Sequence, residues 1–309
     1  MTFCKKSLQP KDLFSITLDF IAENAENIHC LVGFPDIVGK RIFDRFIHLS
    51  DFAVLASKNQ VKIISCFAMA YNKLILESVA LSESLIMLNE FFDSFTILFK
   101  YVSEICLCSC YLGDNHEFFE LIKDLYLLNK LCLKGNCLRD GAIRKLTLPI
   151  RMFDRGPKNI EYLDLSDNAL TDAVTPWLAT FKKLQCLDLS GSNISIESLQ
   201  ILEKECSLKL CNSENSMHPI ITKGWATPLI HKWINVCKMR RESRNIKKRN
   251  LYFPKRRLLL VEESLSNTLN TRISRSPILV LKRMPSNVGN YIESDVPVNV
   301  TESLPTNTV

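Results

Sequence analysis

The feature that most constrains the fold of this 309-residue chain is an apolar frame that occurs five times. In each copy, apolar residues occupy the first, fourth, sixth and eleventh positions, and a serine, cysteine or asparagine occupies the ninth. The copies begin at Leu76, Val102, Leu128, Ile160 and Leu184. Their ninth residues are Ser84, Cys110, Asn136, Asn168 and Ser192, so successive copies are 26, 26, 32 and 24 residues apart. Because one such unit cannot bury its own apolar face, the units must stack to close a common core.

The frame resembles that of leucine-rich repeats of the longer, ribonuclease-inhibitor-like kind. Apolar fourth and sixth residues that alternate with polar ones are typical of a strand with one buried side. Amphipathic stretches between the copies, such as residues 116–127, predict helices. The sequence therefore predicts an α/β fold, a short leucine-rich-repeat solenoid with parallel strands on its concave face and helices on its convex face. At the ninth position, an asparagine is expected to donate its amide hydrogens to backbone carbonyls where the chain leaves the strand.

Three copies carry an aspartate two residues after their eleventh position. These residues are Asp114, Asp140 and Asp172. Because each aspartate lies just before a predicted helix, we expect it to be the N-cap residue that accepts hydrogen bonds from free backbone amides.

The rest of the chain divides around these repeats. The predicted segments are a disordered start (1–11), a helical N-terminal cap (12–70), about five repeats (71–215), a C-terminal capping helix (216–239) and a disordered basic tail (240–309). Trp225, Leu229 and Trp233 fall near helical spacing in the fourth of these segments, which is expected to shield the last repeat. The tail is rich in Arg, Ser, Asn and Pro, a composition that cannot bury a core.

Charge and cysteine usage limit the class of protein. The net charge is +6, but the ten Lys and Arg side chains between Lys238 and Arg257 face Glu242 alone, which leaves −3 for the remaining residues. No long apolar run predicts a membrane span, and the N-terminus has no apolar signal core. The spacing of the twelve cysteines follows the repeats, which favours reduced thiols in a cytoplasmic or nuclear protein. Without a glycine-rich phosphate loop or a nucleophile elbow, we expect neither an enzyme nor a bound cofactor.

Longer stretches of the sequence resemble one particular family. Residues 12–43 (DLFSITLDFIAENAENIHCLVGFPDIVGKRIF), the repeats containing LDLSDNALTDA and LQCLDLSGSNI, and the later GWA are similar to the leucine-rich repeat-containing protein 42 family. The resemblance covers about residues 12–240 and leaves out most of the tail. It implies the leucine-rich-repeat fold and carries no biochemical activity over to this chain.

The concave face is the predicted surface for binding another protein. The residues expected to contact the partner are Glu104, Lys130, Lys134, Tyr162, Asp164, Asp167 and Asp188. Tyr162 is the aromatic side chain of this strip, and aromatic residues are frequent binding hot spots. Two lysines toward the middle and three aspartates toward the C-terminal end would orient a partner of opposite charge pattern. Apart from that partner the chain is expected to be a monomer.

Two groups on the same face are candidate sites of chemistry. Asp164 and Asp188 occupy the fifth position of adjacent repeats, so they could bind a cation or share a proton; a solvated acidic patch is the interpretation that we favour. Cys106, Cys108 and Cys132 also lie together on this face. Tetrahedral zinc would need a fourth ligand, and neither a Cys-x-x-Cys pair nor a nearby histidine supplies one, so the sequence predicts no metal site.

Two further segments suggest alternative functions. Leu13, Thr17 and Ile21 have the spacing of elongin-binding boxes in substrate receptors of cullin–RING ubiquitin ligases, although Asp12 and Thr17 depart from that motif. A plain amphipathic capping helix has the same spacing. The basic cluster, which predicts nuclear import, non-specific nucleic-acid binding or a solvated linker, consists of Arg240, Arg241, Lys247, Lys248, Arg249, Lys255, Arg256 and Arg257.

Overall fold

A computed structural model describes residues 12–48, 58–211, 219–250 and 279–283, with the backbone alone described for 244–250. Within these ranges the α-helices are α1 (Leu13–Glu23), α2 (Asp36–His48), α3 (Lys58–Tyr71), α4 (Leu85–Glu90), α5 (Phe92–Leu98), α6 (Phe118–Leu121), α7 (Asp140–Phe153), α8 (Thr175–Leu178), α9 (Ile196–Cys206) and α10 (Thr227–Asn250). The strands are β1 (Ser78–Ala80), β2 (Glu104–Cys106), β3 (Lys130–Cys132), β4 (Tyr162–Asp164), β5 (Cys186–Asp188), β6 (Lys209–Cys211) and β7 (Val280–Lys282). The fold is thus mixed α/β.

The strands form one sheet whose first five members are parallel and follow chain order. The order is β1-β2-β3-β4-β5-β7-β6. β7 runs antiparallel to both of its neighbours, β5 and β6. The fourth residues of the five copies pair directly across this sheet: Val79, Ile105, Leu131, Leu163 and Leu187. The apolar frame therefore sets the register, as the sequence predicts.

The strands of the five repeats turn the apolar residues of the frame into one core. The fourth-position residues and the sixth-position leucines (Leu81, Leu107, Leu133, Leu165 and Leu189) are all 0% exposed. They share one apolar core with helix residues such as Phe118 in α6 and Leu146 in α7. Since helices cover that side of the sheet, the third, fifth and seventh residues of each copy lie on the other side, here called the open face.

The strand ends are fixed by backbone geometry and by asparagines. The eighth residue of every copy has a positive φ, between 51° at Ser109 and 74° at Gly191. At the next position, the Asn168 side chain donates to the carbonyls of Leu133 and Leu165, at 3.0 and 2.9 Å, and accepts from the Asn136 amide at 3.0 Å. The Asn136 side chain donates to Leu107 O at 2.7 Å in the same way. The predicted role of the asparagines is confirmed, and it extends across the boundary between repeats.

The aspartates that follow the repeats do not cap helices. Asp140 is itself the first residue of α7, and the residue before it makes no side-chain capping bond. Instead each aspartate accepts the backbone N–H of a residue one repeat further along: Arg139 N to Asp114 (2.8 Å), Thr171 N to Asp140 (2.9 Å) and Ser195 N to Asp172 (2.7 Å). The N-cap prediction is wrong because the carboxylate reaches the neighbouring unit, whose free amide is closer than those of its own helix. These three residues are called the aspartate ladder.

The helices before the first repeat join its core through aromatic side chains. Phe67 of α3 contacts Phe43 of α2 edge-on, with ring centroids 4.9 Å apart, and lies 6.1 Å from the Tyr71 ring. α2 approaches that ring so closely that a Cβ added at Gly39 would lie 2.2 Å from Tyr71 Cζ. In the described residues before β1, the helices α1 to α3 thus extend the core beyond that strand.

The C-terminal part of the chain differs from the prediction. α10 does not shield the last repeat: Trp233 stacks on Phe91, between α4 and α5, with centroids 4.5 Å apart. Upstream of the helix, Lys223 bridges to Ser78 and closes the outer edge of β1. The disorder expected from residue 240 onward is also wrong for residues 240–250, which continue α10, and for β7 at 280–282. The remainder of the predicted tail lies outside the described residues, as do residues 1–11.

The register of β7 explains its position. Leu281 lies between Leu187 of β5 and Leu210 of β6, so it continues the apolar row of the repeats. Within the described part of the chain, none of the helices combines the length and the apolar character needed to cross a bilayer.

Candidate partner-binding face

The open face carries parallel rows of side chains, because the repeats are in register. One row, from the third positions, runs Ser78, Glu104, Lys130, Tyr162 and Cys186. The next row, from the fifth positions, runs Ala80, Cys106, Cys132, Asp164 and Asp188. All seven residues predicted to bind a partner lie on this face or, for Asp167, at its margin in the eighth position. Two lysines against four carboxylates give these seven a net charge of −2.

The third-position row is held by contacts between neighbouring strands. Lys130 Nζ lies 2.8 Å from Glu104 Oε1 and 5.3 Å from the centre of the Tyr162 ring. The Tyr162 hydroxyl donates to Gln185 Oε1 at 3.2 Å. Tyr162 is therefore fixed at both its ring and its hydroxyl, and it is half-buried in the centre of the face. A rigid aromatic side chain loses little conformational entropy on binding.

The fifth-position row becomes acidic toward the last repeats. Asp164 and Asp188 are direct cross-strand neighbours. Burial raises the pKa of Asp164, hydrogen bonds from Ser166 oppose that shift, and the charge of Asp188 adds to it. Lys134 Nζ lies 3.3 Å from Asp167 Oδ2. Burial alone would lower the pKa of Lys134, but the charges of Asp167, Asp164 and Asp188 together raise it.

In the middle of the same row, Cys106 and Cys132 form a cluster with Cys108 of the seventh position, here called the thiol cluster. Cys108 Sγ lies 3.0 Å from both Cys106 Sγ and Cys132 Sγ. Hydrogen bonds from Cys108 and Cys132 lower the pKa of Cys106, and the same bonds raise the pKa of the other two thiols. The cluster therefore favours a single thiolate that its neighbours stabilise.

Leu13, Thr17 and Ile21 lie on α1, which precedes the repeats in the sequence. Leu13 is 79% exposed, whereas Ile21 packs partly against the core. The Thr17 hydroxyl donates to the Leu13 carbonyl at 2.9 Å within the helix. Two further apolar residues of this helix are exposed, Ile16 at 51% and Phe20 at 65%.

The basic cluster is only partly described. Arg240 pairs with Glu90 of α4, and Arg241 is exposed on α10. For Lys247, Lys248 and Arg249 the structure gives a helical backbone and nothing of the side chains. The prediction for Lys255, Arg256 and Arg257 falls outside the described residues.

Two lysines of the open face are not among the residues predicted to bind a partner. Lys282 of β7 pairs with Cys186 on one side and with Lys209 of β6 on the other, so both lysines extend the third-position row beyond β5. β7 does not belong to a repeat, and the apolar frame cannot reveal it. The signal that could have done so is the short run ILVL at 278–281 directly after Pro277, which has the composition of a strand.

Comparison with known proteins identifies relatives across most of the chain. No protein-family model matches the chain. Leucine-rich repeat-containing protein 42 of Danio rerio is 34% identical over 229 residues, which are 72% of this chain and 56% of that protein. The protein of the same name from Homo sapiens is 32% identical over 238 residues, 73% of this chain and 54% of that protein. The one from Rattus norvegicus is 30% identical over 264 residues, 80% of this chain and 61% of that protein.

These relatives share a name and a similar extent of alignment. Because the match covers between 54% and 61% of their length, the chain spans little more than half of the curated relatives that it matches. The resemblance indicated by the sequence motifs is confirmed, and over the aligned residues the chain belongs to the leucine-rich repeat-containing protein 42 family.

Proposed function

We propose that the chain is a non-enzymatic protein-interaction scaffold, a leucine-rich-repeat solenoid that binds another protein through the open face of its sheet, which forms the concave side. The observation that carries this proposal is the arrangement around Tyr162. Its ring is held by Lys130 and its hydroxyl by Gln185, at the centre of a face that the helices leave uncovered. The names of the relatives, all leucine-rich repeat-containing proteins, support the same type of function.

The charges of the face indicate the chemistry of the partner. Lys130 and Lys134 are paired with Glu104 and Asp167. Asp164 and Asp188 are cross-strand neighbours, and Asp167 lies in the same repeat as Asp164. Three of the four predicted carboxylates, Asp164, Asp167 and Asp188, therefore lie on the last two repeats, and we expect a basic segment of the partner to bind there. Electrostatic complementarity of this kind raises the association rate and orients the partner.

The test is affinity purification followed by mass spectrometry, with the wild-type chain and a Tyr162→Ala/Asp188→Lys variant. The variant removes the central aromatic side chain and reverses one charge, so partners that use the face should be lost. A Tyr126→Ala/Glu120→Lys variant is the matched control, because it makes the same two changes at exposed residues outside the face. Circular dichroism checks that both variants fold. Partners that survive the first variant as well as they survive the control would contradict the proposal.

A second candidate function rests on the exposed face of α1. With Leu13 79% exposed, the helix presents an apolar side chain that the rest of the described chain does not cover. As a substrate receptor of a cullin–RING ligase, the chain would insert this side chain into elongin. Leu13→Ala should then abolish co-purification of elongin, whereas Ile37→Ala, at a 73% exposed residue of α2, should not. Absence of elongin from the wild-type complex would eliminate this candidate.

A nucleic-acid-associated role through the basic cluster, and a cytoplasmic or nuclear location, stay predictions. Exposed Arg241 is compatible with contact to phosphates. A change of Lys247, Lys248 and Arg249 to glutamine keeps the helix-forming character of α10 and removes three charges. If these residues neutralise phosphates, the variant should bind nucleic acid more weakly and with a shallower salt dependence. Equal binding and an equal salt slope would contradict that role.

A further inference from the structure

The thiol cluster on the open face has the donor set of a metal centre. The three sulfur atoms lie within 4.8 Å of one another. Two come from one repeat, at its fifth and seventh positions, and the third comes from the fifth position of the next repeat. The parallel register therefore brings together residues 24 apart in the sequence, Cys108 and Cys132.

A fourth ligand stands beside the cluster in the following repeat. Asp164 is the cross-strand neighbour of Cys132, and its Oδ2 atom lies 3.2 Å from Cys132 Sγ. The other carboxylate oxygen, Oδ1, is held by the backbone amide of Ser166 at 2.9 Å and by its hydroxyl at 2.7 Å. Ser166 thus orients the carboxylate with one oxygen toward Cys132 Sγ, as outer partners of metal ligands do. Neither a histidine nor a Cys-x-x-Cys pair supplies this ligand; the candidate is an aspartate one repeat away.

We propose that Cys106, Cys108, Cys132 and Asp164 bind one Zn²⁺ ion on the open face of the sheet. Three sulfur donors favour a thiophilic cation over Mg²⁺ or Ca²⁺, and one carboxylate completes the four ligands that zinc prefers. Each cysteine binds as a thiolate and releases its proton to solvent. With all four protein ligands supplied, the site is of the structural type and leaves no position for a substrate.

The three sulfur atoms need only small movements to bind one ion, whereas the Asp164 carboxylate lies outside the group of atoms within 4.8 Å of one another and must move closer to it. Tetrahedral coordination with Zn–S bonds of about 2.3 Å separates the sulfur atoms by about 3.8 Å. The observed separations of 3.0 Å between Cys108 and its two neighbours must therefore open by less than about 1 Å. Cys106 and Cys108 are partly exposed, so an ion can enter from the open face.

The site would tie three consecutive repeats together at the surface where the partner is proposed to bind. Cys106 lies in β2, Cys132 in β3 and Asp164 in β4, and Cys108 follows β2 by two residues. Zinc binding does not depend on the proposed partner, and the partner test above uses Tyr162 and Asp188, neither of which is a proposed ligand. Failure of one proposal is therefore distinguishable from failure of the other.

The experiment is a titration of the full chain, reduced and freed of metal with a chelator, with Co²⁺ as a spectroscopic probe and then with Zn²⁺. We expect one Co²⁺ per chain, with thiolate-to-cobalt charge-transfer absorption and the strong visible bands of tetrahedral cobalt, all displaced by Zn²⁺. The Cys108→Ser/Cys132→Ser variant should lose these bands. The Cys30→Ser/Cys137→Ser variant, at two exposed thiols outside the cluster, should keep them.

The role of the carboxylate is tested separately. Asp164→Asn keeps the three thiols and should weaken Co²⁺ binding by at least about tenfold, the lower range found even for outer partners of metal ligands. Unchanged affinity would overturn the assignment of Asp164. The whole site would be overturned if the wild-type chain bound cobalt no more tightly than the Cys108→Ser/Cys132→Ser variant. It would also be overturned if the chain, isolated without reductant, carried a disulfide among these cysteines in place of the ion. Circular dichroism of each variant separates loss of the site from loss of the fold.

Discussion

The repeats are held to one another differently from the way in which α10 is held to the first repeat. Within the repeats some polar contacts recur at the same position: Asn136 and Asn168 make equivalent bonds one unit apart. At the N-terminal end the contacts of Trp233 in α10 with Phe91 and Phe95 occur once, and none of the described repeats has an equivalent of them. A repeated contact divides the stabilisation among many residues, whereas a unique one concentrates it in a few. The following changes test that contrast, in order of decreasing expected effect.

The largest effect is expected for Trp233→Ala. The indole is 0% exposed, stacks on Phe91 at 4.5 Å and contacts Phe95 edge-on at 5.3 Å. Its removal leaves a cavity between α10 and the first repeat, so the free energy of unfolding should fall by about 3–5 kcal/mol. Urea denaturation followed by fluorescence and circular dichroism measures the change.

A tryptophan within the repeats is the control for this change. Trp177 of α8 is only partly buried and has Arg151 5.7 Å from its ring centre. Trp177→Ala should therefore cost clearly less than Trp233→Ala. Equal losses for the two variants would show that α10 contributes no more to stability than an ordinary repeat helix, and the contrast between the two regions would fail.

The next effect is expected for Asn168→Ala. The side chain is 3% exposed, donates to the carbonyls of Leu133 and Leu165 and accepts from the amides of Asn136 and Leu138. Alanine leaves several of these buried groups without a partner, and the free energy of unfolding should fall by about 3 kcal/mol. Asn193→Ala, at an exposed asparagine of the next repeat, should stay within about 0.5 kcal/mol of the wild type. A small loss at Asn168 would mean that water replaces its bonds.

A smaller effect is expected from the aspartate ladder. Asp140 accepts from Thr171 N at 2.9 Å and from Thr171 Oγ1 at 2.6 Å, both in the following repeat. Asp140→Ala should lower the free energy of unfolding by about 1 kcal/mol. Asp44→Ala in α2 removes an exposed ion pair with Lys40 and should cost about 0.5 kcal/mol or less. If the two costs are equal, the bonds between repeats are worth no more than a surface ion pair.

The same contrast determines what could be predicted from the sequence. The spacing of Leu131 and Leu163 fixes the strand register, because a shift by one residue would turn every core side chain to solvent. The role of Asn168 follows from the same frame. The partner of Asp140 did not follow, since its carboxylate reaches a residue in the next unit that no local helix pattern identifies. The position of α10 could not be predicted either, because amphipathic spacing shows that a helix has a buried side without showing which surface covers it.

The open face gives a similar lesson about the candidate site. Its rows could be assigned in advance because alternation along a strand decides which side each residue faces. The proximity of Asp164 to the thiol cluster depends on three repeats being in register at once. Lys282 reaches the face from a segment outside the repeats, after a long intervening stretch of chain. Contacts between neighbours in a repeat are thus predictable, whereas contacts from outside the repeat are not.

The smallest effect is expected for Asp172→Asn, and its pH dependence distinguishes a charged contact from a neutral one. The backbone N–H of Ser195, at 2.7 Å, and the side chain of Ser198 lower the pKa of Asp172. A carboxyl group whose pKa is lower in the folded state than in the unfolded state, where it is about 3.9, stabilises the fold above that pH. This stabilisation is lost as the pH falls through the folded-state pKa.

Asp172→Asn should therefore be slightly less stable than the wild type at pH 7, and the difference should narrow in acid, as the aspartate becomes protonated and resembles asparagine. Urea midpoints measured from neutral pH down to about 3, just below the unfolded-state pKa, test this expectation. Glu120→Gln, at an exposed residue of α6, controls for the loss of one charge from the chain as a whole. A difference that persists unchanged in acid would mean that Asp172 acts through its shape and not through its charge. In that case each rung of the aspartate ladder would be an ordinary neutral hydrogen bond, and the repeats would owe their cohesion to the apolar core and the asparagines.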